Sequence, residues 1–206
     1  TKSAHPYNGI KRTHRLLKNK FFSQGFCRDA YLYLMKKLLP KDKPLLLAID
    51  WTVIKEKFCF LSVSWVHDSG RSIPLFFDGY EKCKLDYRSQ TAIECDTLKL
   101  ILGNLAYIPE ITILADRGFD SPRVLNLIAK YKTNYVIRVK IDKYITTSSG
   151  HNYKIHHAMV KRGGKLKYEN VQYTKNSPVL LNFYGIWEKN QKEPWLLLSN
   201  IIATVK

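Results

Sequence analysis

The chain has 206 residues, 45% of them apolar, and its 34 Lys and Arg against 17 Asp and Glu give a net charge of +17. This apolar content excludes a disordered chain, and without a long apolar run or a secretory leader we expect neither a membrane span nor export. The four widely spaced cysteines show no metal-ligand spacing and indicate reduced thiols, so we expect a cytoplasmic protein with no membrane partner.

The charges are distributed unevenly along the chain. Residues 1–44 carry a net charge of +9, residues 45–120 carry −3 and residues 121–206 carry +11. An acidic centre between two basic parts suits an enzyme that holds cations with carboxylates and nucleic-acid phosphates with lysines. The alternative is a basic protein kept soluble by surface lysines. The first interpretation is favoured because the acidic block contains two aspartates, Asp50 and Asp116, that end apolar runs.

The first 44 residues show little β pattern and predict a basic helical segment. Residues 31–39 have helical spacing, and Pro40 and Pro44 stop the helix. A second, basic helix is indicated over residues 11–18. This segment either contacts DNA through its basic face or packs on the core, and the sequence favours neither.

From residue 45 the pattern predicts a mixed α/β core in the order β-β-β-α-β-α. The segments are strands at 45–50, 58–66 and 72–77, a helix at 90–105, a strand at 111–116 and a helix that begins after Ser121 with Pro122 at its first position. The turn at 67–70 suits an antiparallel hairpin. A helical crossover makes the strand at 111–116 parallel to the first strand, so both strands end at one edge of the sheet.

The residue pattern changes after a further predicted strand at 135–140. Residues 141–193 alternate short β-like pieces with Lys, Gly and polar turns, which predicts a basic, β-rich insertion. A buried strand returns at 195–200. We therefore expect a helical segment over 1–44, a core over 45–140, the insertion over 141–193 and the last core strand within 194–206.

Asp50 and Asp116 are the main candidate site residues. Two carboxylates that converge at one sheet edge repel each other unless a divalent cation lies between them, which is the chemistry of metal-dependent phosphoryl transfer. Asp120 is a weaker candidate, because it could simply favour the N-terminus of the next helix. Glu94 lies on the helix before the second aspartate strand, and a solvated helix charge is the favoured interpretation.

The insertion holds the other candidates. His156 and His157 are adjacent, so on a strand they point to opposite faces and are poorly placed to share an ion. Aromatic residues interleave with lysines, and this pattern fits base stacking and strand packing equally well. These aromatic residues are Tyr153, Tyr168, Tyr173 and Trp187. The candidate nucleic-acid-binding residues are Lys161, Arg162, Lys165 and Lys167.

Three stretches resemble landmarks of the bacterial DDE transposases of the insertion-sequence-four type. They are Ile-Asp-Trp-Thr at 49–52, Leu-Ala-Asp-Arg-Gly-Phe-Asp at 114–120 and Pro-Trp-Leu-Leu-Leu-Ser-Asn at 194–200. The resemblance covers roughly residues 45–200, and its most specific part is Ala-Asp-Arg-Gly-Phe. It implies an RNase H-like catalytic core with a mixed sheet and flanking helices, interrupted by a β-rich insertion before the last strand.

The resemblance also implies roles for single residues. Asp50 and Asp116 would be the first two members of a carboxylate triad that holds two Mg²⁺ or Mn²⁺ ions, which activate a water or a 3′-hydroxyl and stabilise the departing 3′-oxygen. Arg117 would steady the acidic cluster or a phosphate, and Gly118 would let the backbone pass close to it. The implied partners are double-stranded DNA, as transposon ends and target, and a second copy of the chain in the DNA complex. Such a protein works in the bacterial cytoplasm, on the nucleoid when bound to DNA.

The sequence departs from the family at the third acid. The family places a glutamate on a helix after the last strand, whereas no Asp or Glu follows Glu193 here, and Glu188 and Glu193 precede that strand. We therefore expect a fragment, a degenerate copy or one part of a split enzyme that binds DNA with weak or absent strand transfer. Two other functions stay open: a non-catalytic, transposase-derived DNA-binding protein, and an RNase H-like nuclease.

Overall fold

The computed structural model describes residues 11, 15, 24–82, 89–155, 161–174 and 180–202, with the side chains of 24–29 left aside. The chain divides into two compact units, Thr1–Leu39 and Pro40–Lys206. Within the described ranges, no helix is both long enough and apolar enough to cross a membrane.

The first unit contains helix α1, Gln24–Leu38. It ends where the sequence predicts, just before Pro40, and the amide of Leu39 donates to the carbonyl of Met35 at 2.9 Å. Lys36 and Lys37 lie in the last turn, where a positive charge is favoured by the helix dipole. Of the basic helix predicted over 11–18, only Lys11 and Arg15 are described, both as helical, and the rest lies outside the described residues.

The second unit is built on one ten-stranded sheet with two helices. The strands are β1 (Leu45–Ile54), β2 (Phe58–Val66), β3 (Ser72–Glu81), β4 (Ile111–Ala115), β5 (Asn134–Arg138), β6 (Tyr144–Thr146), β7 (Asn152–Lys154), β8 (Lys165–Tyr173), β9 (Leu180–Ile186) and β10 (Trp195–Ser199). The helices are α2 (Gln90–Asn104) and α3 (Pro122–Lys130). The strand order in the sheet is β3-β2-β1-β4-β5-β10-β9-β8-β6-β7.

The five strands β3-β2-β1-β4-β5 have the mixed pairing of an RNase H-like core. Strand β2 is antiparallel to both β1 and β3, whereas β1 is parallel to β4 and β4 is parallel to β5. The parallel pairs follow from the helical crossovers, since α2 lies between β3 and β4 and α3 between β4 and β5 in the chain. The element order predicted from sequence and the α/β fold class are confirmed.

Strand β10 joins the core to the strands of residues 141–193. It is antiparallel to β5 on one side and to β9 on the other, so β6–β9 extend the core sheet. Its last residues form a polar clamp on β5. Ser199 Oγ donates to the carbonyl of Tyr135 at 2.6 Å, and Asn200 accepts from the Tyr135 amide at 2.9 Å and donates to the Thr133 carbonyl at 3.1 Å. Ser199 and Asn200 thus hold β10 against β5 through side-chain hydrogen bonds.

One face of the core sheet is packed and the other is more open. Leu45, Leu47 and Ile49 alternate with less buried neighbours along β1, and Ile111 with Ile113 and Tyr135 with Ile137 do the same on β4 and β5. Register partners project from the same side of a sheet, so these residues form one apolar face. Helix α2 lies on that face, because Trp51, which follows this alternation, donates its indole N–H to Glu94 of α2 at 2.9 Å.

The hairpin between β1 and β2 turns through two residues in the left-handed region. Lys55 has φ 50° and Glu56 has φ 57°, and the Lys57 amide closes the turn on the Ile54 carbonyl at 3.2 Å. Hairpin turns of this hand match the twist of the strands but normally use Asn or Gly. The turn therefore carries a conformational cost from its side chains.

Candidate functional site

Asp50 and Asp116 lie at neighbouring positions on the open face of the sheet. The parallel register of β1 and β4 ends at Ile49 opposite Ala115, so the next residue on each chain is an aspartate. Both alternate with the residues of the packed face, since Asp50 follows Ile49 and Asp116 follows Ala115. Neighbouring strands lie about 4.8 Å apart, which brings the two carboxylates close together. The prediction that the first strand ends at Asp50 is wrong, because β1 stays paired with β2 as far as Ile54. Asp50 instead lies within β1, just beyond the point where pairing with β4 ends.

This pair is open to solvent and only partly neutralised. The side chain of Asp116 is 58% exposed, and Nε of Arg117 lies 4.0 Å from its Oδ1. Two hard carboxylate oxygen donors on adjacent parallel strands fit a divalent cation such as Mg²⁺ or Mn²⁺ in chemistry and charge. Within the described parts of the chain, however, no three His, Cys, Asp or Glu side chains cluster as a metal site.

Sequence reasoning missed a group of residues beside the pair. The register of β4 and β5 ends at Ala115 opposite Ile137, so Arg138 neighbours Asp116 on the same face. Glu193 forms salt bridges with both Arg117 and Arg138, and Nη2 of each arginine lies 3.4 Å from Oε2 of Glu193. Glu193 precedes the last strand and was expected to be poorly placed to replace the third acid; its carboxylate lies near Asp116 but is paired with the two arginines. Because β10 is antiparallel to β5, the residues before it return to the edge where Asp116 lies.

Glu94 and Asp120 form a second acidic pair on the helix side of the sheet. Glu94 is only 1% exposed, so the expectation of a solvated helix charge is wrong. Burial raises the pKa of Glu94, hydrogen bonds from Trp51 and, more weakly, Gln90 oppose this rise, and the charge of Asp120 adds to it. Among the described residues, Oε2 of Glu94 has no hydrogen-bond partner.

Asp120 is buried against a tyrosine of the insertion. The hydroxyl of Tyr173 donates to its Oδ2 at 2.8 Å, and burial together with the Asp120 charge raises the pKa of Tyr173, so this donor stays protonated. The N-cap position of α3 belongs to Ser121, with Pro122 in the first turn, as predicted. Asp120 therefore contributes a buried hydrogen bond, and its role in a site remains a prediction.

The turn that follows Asp116 leaves open space beside the backbone of Gly118. The Phe119 amide donates to the Asp116 carbonyl at 3.0 Å, and Phe119 is buried. A Cβ placed on Gly118 would meet no atom within 4 Å. No described protein atom therefore requires glycine at this position, and its suggested role beside a phosphate remains a prediction.

The four basic candidates of the insertion lie around β8. Lys161, Arg162, Lys165 and Lys167 are all exposed. Arg162 donates to the Gln191 carbonyl at 3.1 Å, and Lys167 pairs with Glu169, which raises the pKa of Lys167. A role for all four in binding nucleic acid remains a prediction.

The aromatic residues of the insertion divide between packing and surface. The ring of Tyr168 stacks between those of Tyr153 and Phe183, with centroids 6.5 and 6.4 Å away. Tyr173 is fully buried, and the indole of Trp187 donates to the Gln191 carbonyl at 3.1 Å. Strand packing accounts for these contacts.

His156 and His157 lie outside the described residues. Cys59 and Cys95 are buried free thiols.

Fold and geometry together define a mixed α/β domain of RNase H-like topology with an exposed carboxylate pair where the parallel pairing of β1 and β4 ends. No protein-family model and no curated protein matches the chain. Among solved structures, similar chains include human endonuclease V, with 13% identity, a TM-score of 0.35, and coverage of 76% of this chain and 68% of that one.

Two further structures show a comparable likeness. The Ciona intestinalis endonuclease V, solved with a 24mer DNA containing an inosine followed by a ribo-adenosine, has 13% identity and a TM-score of 0.36, covering 75% of this chain and 70% of that one. The Marinitoga piezophila Argonaute, solved with guide RNA and target DNA, has 15% identity and a TM-score of 0.31 over 83% of this chain. The chain spans 24% of that Argonaute.

Proposed function

We propose that the chain is the catalytic domain of a DDE-type DNA transposase, a metal-dependent phosphoryl transferase. The observation that carries the proposal is the position of Asp50 and Asp116, each one residue past the last register pair of the parallel strands β1 and β4, on the open face. The basic residues of 121–206, with a net charge of +11, supply the attraction for DNA phosphates. The Ala-Asp-Arg-Gly-Phe stretch supplies the reason to name a transposase.

In this proposal each residue has a defined task. Asp50 and Asp116 would hold Mg²⁺ or Mn²⁺. Such ions lower the pKa of an attacking water or 3′-hydroxyl and stabilise the charge on the departing 3′-oxygen. Arg117, 4.0 Å from Asp116, limits the repulsion between the two carboxylates before DNA arrives. The open backbone at Gly118 leaves room for a DNA strand.

A nicking assay on supercoiled plasmid and on transposon-end duplexes tests this function. In Mn²⁺ or Mg²⁺, Asp50→Asn and Asp116→Asn should each lower the cleavage rate by about a hundredfold or more, because each removes a charged oxygen ligand. Asp68→Asn is the matched control, since it removes the same charge from the turn between β2 and β3, at the opposite edge of the sheet. Cleavage that survives both Asp50→Asn and Asp116→Asn would refute the proposal.

A second candidate is a non-catalytic DNA-binding protein derived from such an enzyme. One observation favours it: the described residues contain no cluster of three metal-ligating side chains. A gel shift at two salt concentrations would then show strongly salt-dependent binding to transposon ends, while the nicking assay shows none. Selective binding to terminal inverted repeats over random DNA would also count against a general RNase H-like nuclease.

A further inference from the structure

Four side chains on the helix side of the sheet form what we call the buried acid cluster: Trp51, Glu94, Asp120 and Tyr173. The indole N–H of Trp51 donates to Oε1 of Glu94 at 2.9 Å. The hydroxyl of Tyr173 donates to Oδ2 of Asp120 at 2.8 Å. The charge of Asp120 raises the pKa of Glu94, so the two acids lie near each other. The cluster thus connects β1, helix α2, the turn before α3 and strand β8.

Stability alone does not explain two acids at this place. Glu94 is 1% exposed, Asp120 is 7% exposed and Tyr173 is fully buried. Burying two carboxyl groups near each other costs free energy, and Oε2 of Glu94 has no partner among the described residues. Apolar side chains of similar volume would avoid this cost. A buried hydrogen bond does not compete with water, however, so it holds its two partners in a fixed geometry.

The hydrogen bond from Trp51 holds β1 where Asp50 loses its neighbour on β4. Pairing of β1 with β4 ends at Ile49, so β4 does not fix the position of Asp50 relative to Asp116. Trp51, the next residue, is held from the helix side by Glu94. Successive side chains of a strand point to opposite faces, so a bond that fixes Trp51 on one face also fixes the direction of Asp50 on the other.

The hydrogen bond from Tyr173 holds the turn that begins at Asp116. The carbonyl of Asp116 accepts from the Phe119 amide at 3.0 Å, and Phe119 is buried. The next residue, Asp120, is joined to β8 by Tyr173. The side chain of Asp116 is itself 58% exposed, so its direction depends on the backbone of this turn. Strand β8 of the insertion therefore reaches the core at the turn that carries Asp116.

We propose that Trp51 and Tyr173 are positioning residues for the metal-binding pair Asp50 and Asp116. Their hydrogen bonds to the buried acids set the separation of the two carboxylates, and this separation sets the affinity for Mn²⁺ or Mg²⁺. Removing a group one step behind a metal ligand typically lowers metal affinity by about ten- to a hundredfold. The inference rests on the proposed function for its metal, and it gives a residue of the insertion a task in the core site.

The test measures Mn²⁺ binding to the full chain without DNA, by electron paramagnetic resonance of the free ion, at a temperature where circular dichroism shows every variant folded. Tyr173→Phe and Trp51→Phe should each weaken Mn²⁺ binding about tenfold. Glu94→Gln keeps an acceptor for the indole N–H and should retain binding within about twofold. In the nicking assay, Tyr173→Phe and Trp51→Phe should need about tenfold more Mn²⁺ for half of the maximal rate, with the rate at saturating Mn²⁺ within about threefold of the native one.

Two control variants separate positioning from a general loss of stability. Tyr135→Phe also removes a buried tyrosine hydroxyl, but one without a partner among the described residues. Val171→Ala removes methyl groups from a fully buried position on the same strand as Tyr173, so it lowers stability without changing the cluster. Both should leave Mn²⁺ binding within about twofold of the native affinity.

Three results would overturn the inference: Mn²⁺ binding unchanged in Tyr173→Phe or in Trp51→Phe, binding weakened as much in Val171→Ala, or binding weakened as much in Glu94→Gln. The proposed function can fail separately. Mn²⁺ binding that needs Asp50 and weakens in Tyr173→Phe, without any nicking, defeats the proposed function and supports this role. Nicking that needs Asp50, with Mn²⁺ binding unchanged in Tyr173→Phe, supports the proposed function and defeats this role. A native chain that does not bind Mn²⁺ defeats both.

Discussion

Replacing Trp51 by phenylalanine should destabilise the fold in a manner that depends on pH. The indole N–H of Trp51 donates to Oε1 of Glu94 at 2.9 Å, and Glu94 is 1% exposed. Phenylalanine retains most of the ring but removes the donor. The buried carboxylate then loses a hydrogen bond that its Oε2 does not replace among the described residues. We expect this loss to dominate the effect of Trp51→Phe.

The size of the effect follows from the charge on Glu94. A hydrogen bond to a charged group contributes about 1.5–3 kcal/mol, and a neutral one about 0.5–1.5 kcal/mol. A loss of about 2 kcal/mol lowers the melting temperature by about 4–8 °C in a chain of this size. The smaller ring adds a cost of about 1 kcal/mol that does not depend on pH.

The sign of the pH dependence is fixed by the direction of the shift. Burial raises the pKa of Glu94 above its ordinary 4.5, so this residue's contribution to stability is greatest below the unfolded pKa and declines as pH rises toward the folded pKa. Trp51 opposes that rise. Removing the indole donor therefore raises the pKa of Glu94 further and extends the pH range over which the free energy of unfolding falls. Trp51→Phe should cost about 1 kcal/mol more at pH ~8 than at pH ~4.

Urea denaturation at the two pH values measures this difference in the free energy of unfolding. The matched background is Glu94→Gln, which keeps an acceptor for the indole but removes the charge. In that background Trp51→Phe should cost the same at both pH values. A cost that does not change with pH in the native background would refute the reasoning, because the hydrogen bond would then not be supporting a charge.

Three further predictions concern single positions. Tyr135→Phe should be neutral or stabilising by up to about 1 kcal/mol, because the Tyr135 hydroxyl is buried without a partner among the described residues. Tyr173→Phe should cost about 1–3 kcal/mol, because the Tyr173 hydroxyl donates to buried Asp120. Thermal melts compare the two variants, and an equal change in melting temperature would contradict this prediction. Glu56→Gly should raise the melting temperature by about 2–4 °C by relieving φ 57°, as calorimetry can check. Gly118→Ala should leave the melting temperature unchanged but weaken DNA binding in a gel shift; unchanged binding would show that no strand passes there.

The sheet edge could be predicted from sequence because it depends on local signals. Apolar runs gave the strands, and the helical crossover fixed the parallel direction of β1 and β4, so Asp50 and Asp116 fell at one edge. Strands β2 and β3 and helix α2 lie between β1 and β4 in the chain, and the antiparallel hairpins together with the helical crossover fix the relative direction of β1 and β4. Chain direction and the period of two in a strand are enough to place such residues.

The rest of the site depends on pairings that the sequence does not encode locally. Glu193 meets Arg117 across 76 residues, and this contact requires the antiparallel placement of β10 beside β5. Glu94 was misassigned for a different reason. Helix α2 has a solvated face, on which the exposed side chains of Asp96 and Lys99 pair at 3.4 Å. Glu94 lies two positions before Asp96, about half a helical turn away, on the side that buries Ile93, Cys95, Thr97 and Leu98. This helical phase was a readable signal.

The position of β10 has a consequence for how the chain acquires its structure. Strands β5 and β9 both pair with β10, yet they precede it in the chain, with Tyr135 and Ser199 separated by 64 residues. Until Trp195–Ser199 docks, both strands present unpaired edges that can join other molecules. The contact between β5 and β10 joins residues that are far apart in the chain, so the loop between them must lose conformational entropy before the contact forms, and this slows folding. We expect amides of β5 and β9 to gain protection in the same kinetic phase as β10 in pulse-labelled hydrogen exchange, so a nascent chain halted before Trp195 would be prone to aggregate.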